Sequence, residues 1–211
     1  MILDFAEQLR VGLKNLPGYR AQFKMAPQFR EHPSETKRFH PNARKSGVLV
    51  LFYPVQKDIK TILIQRPKYD GVHSKQVAFP GGAMEEADSS LIDTALREAN
   101  EEVGINTDQV EVLGNLTELY VPPSNFLISP VVGYSLERPE FKIDPFEVAE
   151  TIEIDISILL DDSIVKEKTI HVREDVALQA PYFEIDGRTV WGATAMMLSE
   201  LKEILKIIEG H

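Results

Sequence analysis

Hydrophobic residues recur at helical spacing in three stretches of the chain. The predicted helices cover residues 2–14, 90–103 and 192–208. The middle helix has the clearest ends. A capping pair, Ser90 and Asp93, stands at its start, and Gly104 follows it as a C-terminal cap.

Short runs rich in β-branched and aromatic residues predict strands between these helices. The predicted strands cover residues 47–53, 61–64, 109–120, 126–134, 152–156, 167–173 and 181–186. A polar turn around Lys57 and Asp58 separates the first two. Strands and helices are interleaved without strict alternation. We therefore expect an α+β protein, an α/β/α sandwich in which helices flank a mixed sheet.

The remaining pattern divides the chain into an extension and one domain. Residues 15–46 contain four prolines among polar residues, which predicts a long connection that wraps the domain. We expect an N-terminal helix and wrapping extension over residues 1–46, and a single domain over residues 44–208. No internal repeat or low-complexity segment indicates a second domain.

Composition excludes several classes of protein. The 211 residues are 43% hydrophobic and 27% charged, as in a globular domain with a sizeable core. Cysteine is absent, which excludes disulfide scaffolds, cysteine-ligated metals and thiol nucleophiles. The longest apolar run, residues 47–55, is shorter than the ~18 residues of a membrane span. The N-terminus lacks the features of a signal peptide. We expect a cytoplasmic protein without a membrane partner.

The net charge of −10 is distributed unevenly. Residues 1–80 hold 14 Lys and Arg against 6 Asp and Glu, a net of +8, whereas residues 81–211 have a net of −18. A uniformly acidic surface would not show this asymmetry. The basic half lacks a Lys/Arg run interleaved with aromatic residues, so we expect no nucleic-acid partner.

Three carboxylates fall close together on the predicted middle helix. At 100° per residue, Glu98, Glu101 and Glu102 share an arc of about 100° beside the buried face. Like charges at these spacings cost a helix ~0.2–0.5 kcal/mol per pair. A divalent cation would reverse that sign, and hard oxygen ligands suit Mg²⁺ or Mn²⁺. Taken alone, the three residues also fit an ordinary solvated helix face.

The loop before this helix contains a glycine pair. Gly81 and Gly82 permit backbone conformations closed to other residues, so their main-chain atoms can approach a metal or a phosphate directly. Arg97 lies away from the buried face of the helix. It can pair with a loop carboxylate such as Asp88 and hold the loop on the helix.

Residues 79–105 resemble the Nudix box, Gly-x5-Glu-x7-Arg-Glu-U-x-Glu-Glu-x-Gly-U, in which U is a bulky apolar residue. The match runs from Arg97 to Ile105. The first half is one residue longer than the pattern. Ser89 therefore stands where the family has Glu, and Asp88 is the nearest acidic residue.

This one-residue expansion of the box is itself similar to the pattern of the coenzyme A pyrophosphatase branch of this family. Further segments that resemble the branch are Leu63–Arg66, His73–Gly82, Pro122–Phe126, Pro130–Gly133 and Trp191–Ala195, so that the resemblance covers residues 44–208. The chain departs from the branch at Pro67, Lys75 and Ala83. The branch usually has Ser or Ala in place of Pro67, Gly in place of Lys75, and a basic residue in place of Ala83.

The resemblance implies a metal-dependent hydrolase for nucleoside diphosphate derivatives. The substrate that the resemblance implies first is coenzyme A or acyl-coenzyme A, which the enzyme would split into 3′,5′-ADP and (acyl-)4′-phosphopantetheine. It implies Mg²⁺ or Mn²⁺ as the cofactor and a small-molecule nucleotide as the partner, with a monomer or a homodimer left open. The alternatives are a hydrolase for ADP-ribose or a dinucleoside polyphosphate, and a non-catalytic nucleotide-binding module.

The resemblance also implies roles for individual residues. The implied metal ligands are Gly81 (through its carbonyl), Glu98, Glu101 and Glu102. The implied catalytic residues are Arg97, Glu98, Glu101, Glu102 and Glu147. Glu147 is our choice of general base because the carboxylates of residues 144–150 follow a strand and a turn, although a solvated loop is an equal alternative.

The implied substrate-binding residues are Arg66, Lys68, Lys75 and Gly82, which belong to or flank the glycine pair. For any single basic residue the alternative is simple solvation of a loop. We expect core positions for Tyr120, Phe126 and Trp191, with stacking on adenine as the alternative.

Overall fold

The strand β1 (Arg44–Val55) lies at the centre of a mixed sheet and is buried on both faces along most of its length. Its even-numbered residues from Val48 to Phe52 pack into one hydrophobic core. Its odd-numbered residues from Leu49 to Tyr53 pack into another. Because both faces are buried, the strand reads in the sequence as a continuous apolar run.

The computed structural model describes residues 1–28, 30, 42–67, 76–173 and 176–210. Within these residues the helices are α1 (Ile2–Gly12), α2 (Tyr19–Gln22), α3 (Leu91–Val103), α4 (Ile156–Leu160) and α5 (Gly192–Ile208). The strands besides β1 are β2 (Asp58–Gln65), β3 (Val77–Ala78), β4 (Gly81–Ala83), β5 (Glu111–Asn115), β6 (Leu119–Val121), β7 (Phe126–Tyr134), β8 (Glu150–Asp155), β9 (Val165–Arg173), β10 (Val176–Ile185) and β11 (Arg188–Trp191).

β1 has different partners along its two halves. Its C-terminal half pairs antiparallel with β2, and its N-terminal half pairs antiparallel with β4, from Ser46 opposite Ala83 to Val48 opposite Gly81. On the other side, β7 runs parallel to β1 and in turn pairs with β5 and β6. The glycine pair is therefore part of the sheet, and it lies where β2 no longer accompanies β1.

Helices cover both faces of this sheet. α3 packs on one face through Ala95, Ala99 and Val103. α1 and α5 pack on the other face, together with part of a second sheet of order β11-β10-β9. The predicted class, α+β with a mixed sheet between helices, is confirmed. Among the helices that the structure describes, none has both the length and the apolar character needed to cross a bilayer.

Besides the glycine pair, which forms β4 rather than a loop, and the unpredicted α4 and β11, two longer segments differ from the sequence prediction. The single strand expected over residues 109–120 is divided into β5 and β6. Residues 116–118 separate the two strands, and the pairing of β5 with β7 also shifts register between Val112 and Gly114. The connection expected over residues 15–46 contains α2 and a 3₁₀ turn, Phe23–Met25, both packed on α5. Residues 29 and 31–41 of that connection lie outside the described residues. The domain bounds stay a prediction.

A buried carboxylate on α5 joins three parts of the chain. Oε1 of Glu200 accepts hydrogen bonds from the Gly18 amide at 3.0 Å and the Thr117 hydroxyl at 2.6 Å. Its Oε2 accepts from the Gln22 side chain at 2.9 Å and the Thr117 amide at 3.1 Å. Four donors thus replace the water that this carboxylate loses on burial. Glu200 ties α2 and the β5–β6 link to α5.

We predict that Glu200→Ala destabilises the protein by ~3–5 kcal/mol, because the donors around the carboxylate lose their acceptor while remaining buried. Urea denaturation followed by circular dichroism measures the change. Glu203→Ala is the matched control on the same helix. Glu203 forms a partly exposed ion pair with Lys24 at 2.9 Å, and its loss should cost less than ~1 kcal/mol. Similar losses for both variants would contradict the assigned role of Glu200.

Candidate functional site

The glycine pair lies directly against α3. A Cβ atom on Gly82 would stand 2.4 Å from the carboxyl carbon of Glu98, so the position admits only glycine without a shift of that side chain. Gly81 has a φ of 151°, and its amide donates a hydrogen bond of 2.8 Å to Oε2 of Glu102. The loop backbone therefore contacts two of the carboxylates that the sequence analysis singled out.

Three carboxylates converge at this contact. One oxygen from each of Glu98, Glu102 and Glu147 lies within 4.8 Å of the other two. Glu98 and Glu102 are one turn apart on α3, which sets their side chains on the same side of the helix. Glu147 comes from the segment before β8. The structure thus places the general base predicted from the sequence beside two of the predicted metal ligands.

Main-chain hydrogen bonds fix the segment that carries Glu147. The Lys142 amide donates to the Val103 carbonyl at 2.9 Å, and the Asp144 amide donates to the Glu102 carbonyl at 2.9 Å. Both acceptors lie in the last turn of α3, where carbonyls lack partners within the helix. The segment therefore satisfies two carbonyls at the end of the helix and at the same time brings Glu147 to the carboxylates on it.

Burial controls the protonation of this cluster. Glu102 is 1% exposed, and burial raises its pKa to about 7, although Arg66 and the Gly81 amide oppose that shift. Burial also raises the pKa of Glu98. The neighbouring negative charges, including Glu147, add to both shifts. The cluster thus favours a bound positive species, a proton or a cation.

The donor set fits a divalent metal ion. Among the described residues, Oε1 of Glu102 is buried and accepts no hydrogen bond, although Nη2 of Arg66 forms an ion pair with it at 3.3 Å. An unsatisfied buried carboxylate oxygen is costly. Together with oxygens from Glu98 and Glu147 it offers the hard ligands that Mg²⁺ and Mn²⁺ prefer.

Arg97 holds the loop on α3, as the sequence analysis expected. Its Nε and Nη2 donate to the two oxygens of Asp88 at 2.9 and 3.0 Å, and its Nη2 also donates to the Ala83 carbonyl at 3.1 Å. Its Nη1 donates to Glu98 at 3.0 Å. The hydrogen bonds from Arg97 hold the pKa of Asp88 well below its usual range. Arg97 positions Glu98, and Asp88 is the acidic partner that the lengthened box provides.

The structure does not bring Glu101 into the cluster of Glu98, Glu102 and Glu147. The carboxylate of Glu101 is exposed and accepts a hydrogen bond from Nη1 of Arg97 at 2.9 Å. Its implied roles as a metal ligand and catalytic residue stay predictions.

Arg66 is the predicted substrate-binding cation that the structure places at the site. Its Nη2 donates to the Gly81 carbonyl at 3.2 Å, so this carbonyl faces the same side as the carboxylates. Arg66 therefore stands between the cluster and the open space beside it. Lys68 and Lys75 lie outside the described residues, and their contacts with substrate stay predictions.

A cavity of about 400 Å³ opens beside Arg66 and Gly82. Val48 of β1 and Ile128 of β7 lie on one side of it, and Trp191 and residues 192–194 lie on the other. Its lining residues are mostly apolar, which suits the uncharged parts of a small-molecule ligand.

The aromatic residues are placed differently from the expectation of core positions. Phe126 and Trp191 are only partly buried and line the cavity, so the prediction that they are core residues is wrong. Tyr120 is partly buried on β6, and its hydroxyl donates to the side-chain oxygen of Asn125 at 3.0 Å. These residues lie near the ends of predicted strands or of the last predicted helix. At such ends the hydrophobic pattern does not distinguish a core residue from one that lines a cavity.

Comparison with known proteins gives consistent matches. The sequence model of the family described as NUDIX domain matches residues 43–156. Three relatives each carry the description "Uncharacterized Nudix hydrolase NudL". That of Photorhabdus laumondii is 32% identical over 83% of this chain and 92% of its own length. Those of Yersinia enterocolitica and Pectobacterium atrosepticum are 34% and 36% identical, over 80% and 67% of this chain and 85% and 73% of their own lengths.

Solved structures show the same fold at lower identity. The crystal structure of RenU, a Nudix hydrolase from M. smegmatis, has a TM-score of 0.56 at 15% identity, covering 79% of this chain and 88% of its own. A NUDIX hydrolase from Nitrosomonas europaea has a TM-score of 0.51 at 16% identity, covering 82% and 76%.

We predict that Glu102→Gln stabilises the protein at pH 8 in the presence of EDTA. The carboxyl of Glu102 has a pKa of about 7 in the folded protein and about 4.5 when unfolded, so its ionisation above pH 7 costs the folded state up to ~3 kcal/mol. The gain should vanish near pH 4.5, where the carboxyl is largely protonated in the folded state. Denaturation series at several pH values measure it.

Glu101→Gln is the control for this series, because it removes an exposed carboxylate from the adjacent position. Its effect should stay within about 1 kcal/mol and change little between pH 5 and 8. A Glu102→Gln variant that is less stable than the wild type at pH 8 would contradict the raised pKa.

Proposed function

The chain belongs to the Nudix hydrolase family, and we propose that it hydrolyses the pyrophosphate bond of coenzyme A or acyl-coenzyme A. The products are 3′,5′-ADP and (acyl-)4′-phosphopantetheine. The observation that carries the proposal is the convergence of Glu98, Glu102 and Glu147 next to a cavity. The segments that resemble the coenzyme A branch, among them Trp191–Ala195 with Trp191 on the cavity wall, support this choice of substrate.

In this proposal Glu98 and Glu102 would hold a divalent ion, Mg²⁺ or Mn²⁺, with Glu101 and the Gly81 carbonyl as further ligands, and Glu147 lies beside them as the base. When bound, such an ion neutralises charge on the pyrophosphate and lowers the pKa of water. Arg97 keeps Glu98 in place through its hydrogen bond, while its pairing with Asp88 holds the loop. The protein part of the site is thus organised before substrate arrives.

Glu147 takes the proton from the attacking water. It is the exposed member of the cluster, so water reaches it, whereas Glu102 is enclosed. In-line attack of that water on phosphorus gives two monophosphates without a covalent intermediate on the protein. The proton leaves from Glu147 to solvent, which regenerates the base.

Arg66 and the cavity bind the substrate. The guanidinium of Arg66 lies beside the glycine pair, where it can donate to oxygens of the pyrophosphate. Phe126 and Trp191 offer apolar surfaces to the adenine or the pantetheine arm. The charged groups of the substrate therefore meet the end of the cavity that holds Arg66 and the glycine pair, and its uncharged groups meet the apolar walls.

We expect coenzyme A and acetyl-coenzyme A, incubated with Mg²⁺ or Mn²⁺, to release 3′,5′-ADP identified by mass spectrometry. ADP-ribose and a diadenosine polyphosphate complete the panel, because Pro67, Lys75 and Ala83 depart from the branch pattern. Turnover of one of these two without turnover of coenzyme A would overturn the proposed substrate. Absence of turnover for all four would favour a nucleotide-binding module.

We expect Glu147→Gln to lower kcat by ~10²–10⁴-fold if Glu147 is the base, while Mn²⁺ affinity falls less than in Glu98→Gln. Steady-state kinetics and electron paramagnetic resonance of free Mn²⁺ measure the two effects. Glu140→Gln, an exposed carboxylate earlier in the same segment, is the control and should behave as the wild type. Full activity of Glu147→Gln would show that another group is the base.

A further inference from the structure

Arg30 is a partly buried arginine on the wall of the cavity. Its Nη2 donates a hydrogen bond to the main-chain carbonyl of Tyr120, and its guanidinium lies 5.9 Å from the ring centroid of Phe23. Burial lowers the pKa of Arg30 to about 10, so the side chain is charged at neutral pH. None of the carboxylates in the described part of the chain forms an ion pair with it.

A cation in this position needs a partner. Buried charges in proteins are normally paired, because removal from water costs several kcal/mol per ion. A guanidinium carries five N–H donors, and a carbonyl and an aromatic ring compensate its charge only in part. Because Arg30 lines the cavity, an anion bound in the cavity can reach it.

The strand order places Arg30 far from the glycine pair. Tyr120, which accepts the hydrogen bond from Arg30, lies on β6, and the strands β4, β1, β7 and β6 are successive neighbours in the sheet. Neighbouring strands are ~4.8 Å apart, so three spacings separate β4 from β6 by ~14 Å. The cavity therefore has a cationic group at each end, Arg66 near the carboxylates and Arg30 near β6.

We propose that Arg30 binds a phosphate monoester of the substrate while the pyrophosphate lies at the carboxylate cluster. The inference rests on the proposed function, because coenzyme A carries such a group on the 3′ carbon of its ribose. A planar guanidinium pairs with a phosphate through two parallel hydrogen bonds, and apolar surroundings strengthen that contact. Arg30 thus makes the site selective for nucleotides that carry this phosphate.

Isothermal titration of the wild type with 3′,5′-ADP and with 5′-AMP, at one salt concentration, tests the proposal. We expect the bisphosphate to bind ~10–100-fold more tightly, the range for a hydrogen-bonded charge pair. Arg30→Gln should remove most of this difference without changing the affinity for 5′-AMP, and Arg30→Lys should retain part of it. Arg20→Gln, at an exposed arginine on α2, is the matched control and should leave both affinities unchanged.

The same variants are compared as enzymes with coenzyme A and 3′-dephospho-coenzyme A. Arg30→Gln should lower kcat/KM for coenzyme A by ~10–100-fold and leave that for the dephosphorylated substrate unchanged. A variant that loses both substrates equally would indicate a packing role and overturn the proposal.

The wild type alone provides a test that does not depend on the folding of a variant. Equal binding of 3′,5′-ADP and 5′-AMP by the wild type overturns the role of Arg30. Selective binding that Arg30→Gln abolishes, without any hydrolysis of coenzyme A or its acyl derivatives, supports that role and refutes the proposed substrate instead.

Discussion

Three backbone segments meet in this protein at a distance that leaves no room for side chains. A Cβ atom on Gly47 of β1 would lie 2.4 Å from the Leu91 carbonyl oxygen of α3, and one on Gly81 of β4 would lie 2.4 Å from the Gly47 carbonyl oxygen. The backbone of β1 therefore packs directly against α3 on one side and against the backbone of β4 on another. This close contact makes the glycine loop a strand of the sheet and lets its amide reach a carboxylate on α3. Cavity, loop and carboxylates all take their places from it.

The same contact encloses a carboxylate that is only partly compensated. Glu102 receives a hydrogen bond from Gly81 and an ion pair from Arg66, yet its pKa remains raised to about 7 because burial outweighs both. A core built for stability alone would place an apolar residue there. The uncompensated charge of Glu102 destabilises the folded protein, and it lies where it would attract a bound cation most strongly. Such a balance is expected when a site is organised before its ligand binds.

Local signals made part of this arrangement predictable. The Ser90 side chain caps α3 by accepting from the Asp93 amide, and Gly104 ends the helix in a left-handed conformation, as the sequence indicated. The pairing of Arg97 with Asp88 was predictable because both belong to one loop and the helix after it. Contacts between distant segments were not. Four donors from two distant segments meet Glu200, and no spacing along the chain specifies them. The cavity position of Arg30 depends on its contact with β6, 90 residues away.

The attachment of residues 142–147 to the end of α3 uses main-chain atoms, through the amides of Lys142 and Asp144. The side chains of Lys142, Ile143 and Phe146 point to solvent, and Phe146 is 89% exposed. Substitutions at Lys142, Ile143 and Phe146 can therefore leave the distance of Glu147 from Glu98 and Glu102 unchanged. The exposed side chains at the rim of the site can therefore vary, and with them the contacts offered to approaching molecules, while the carboxylate cluster keeps its geometry.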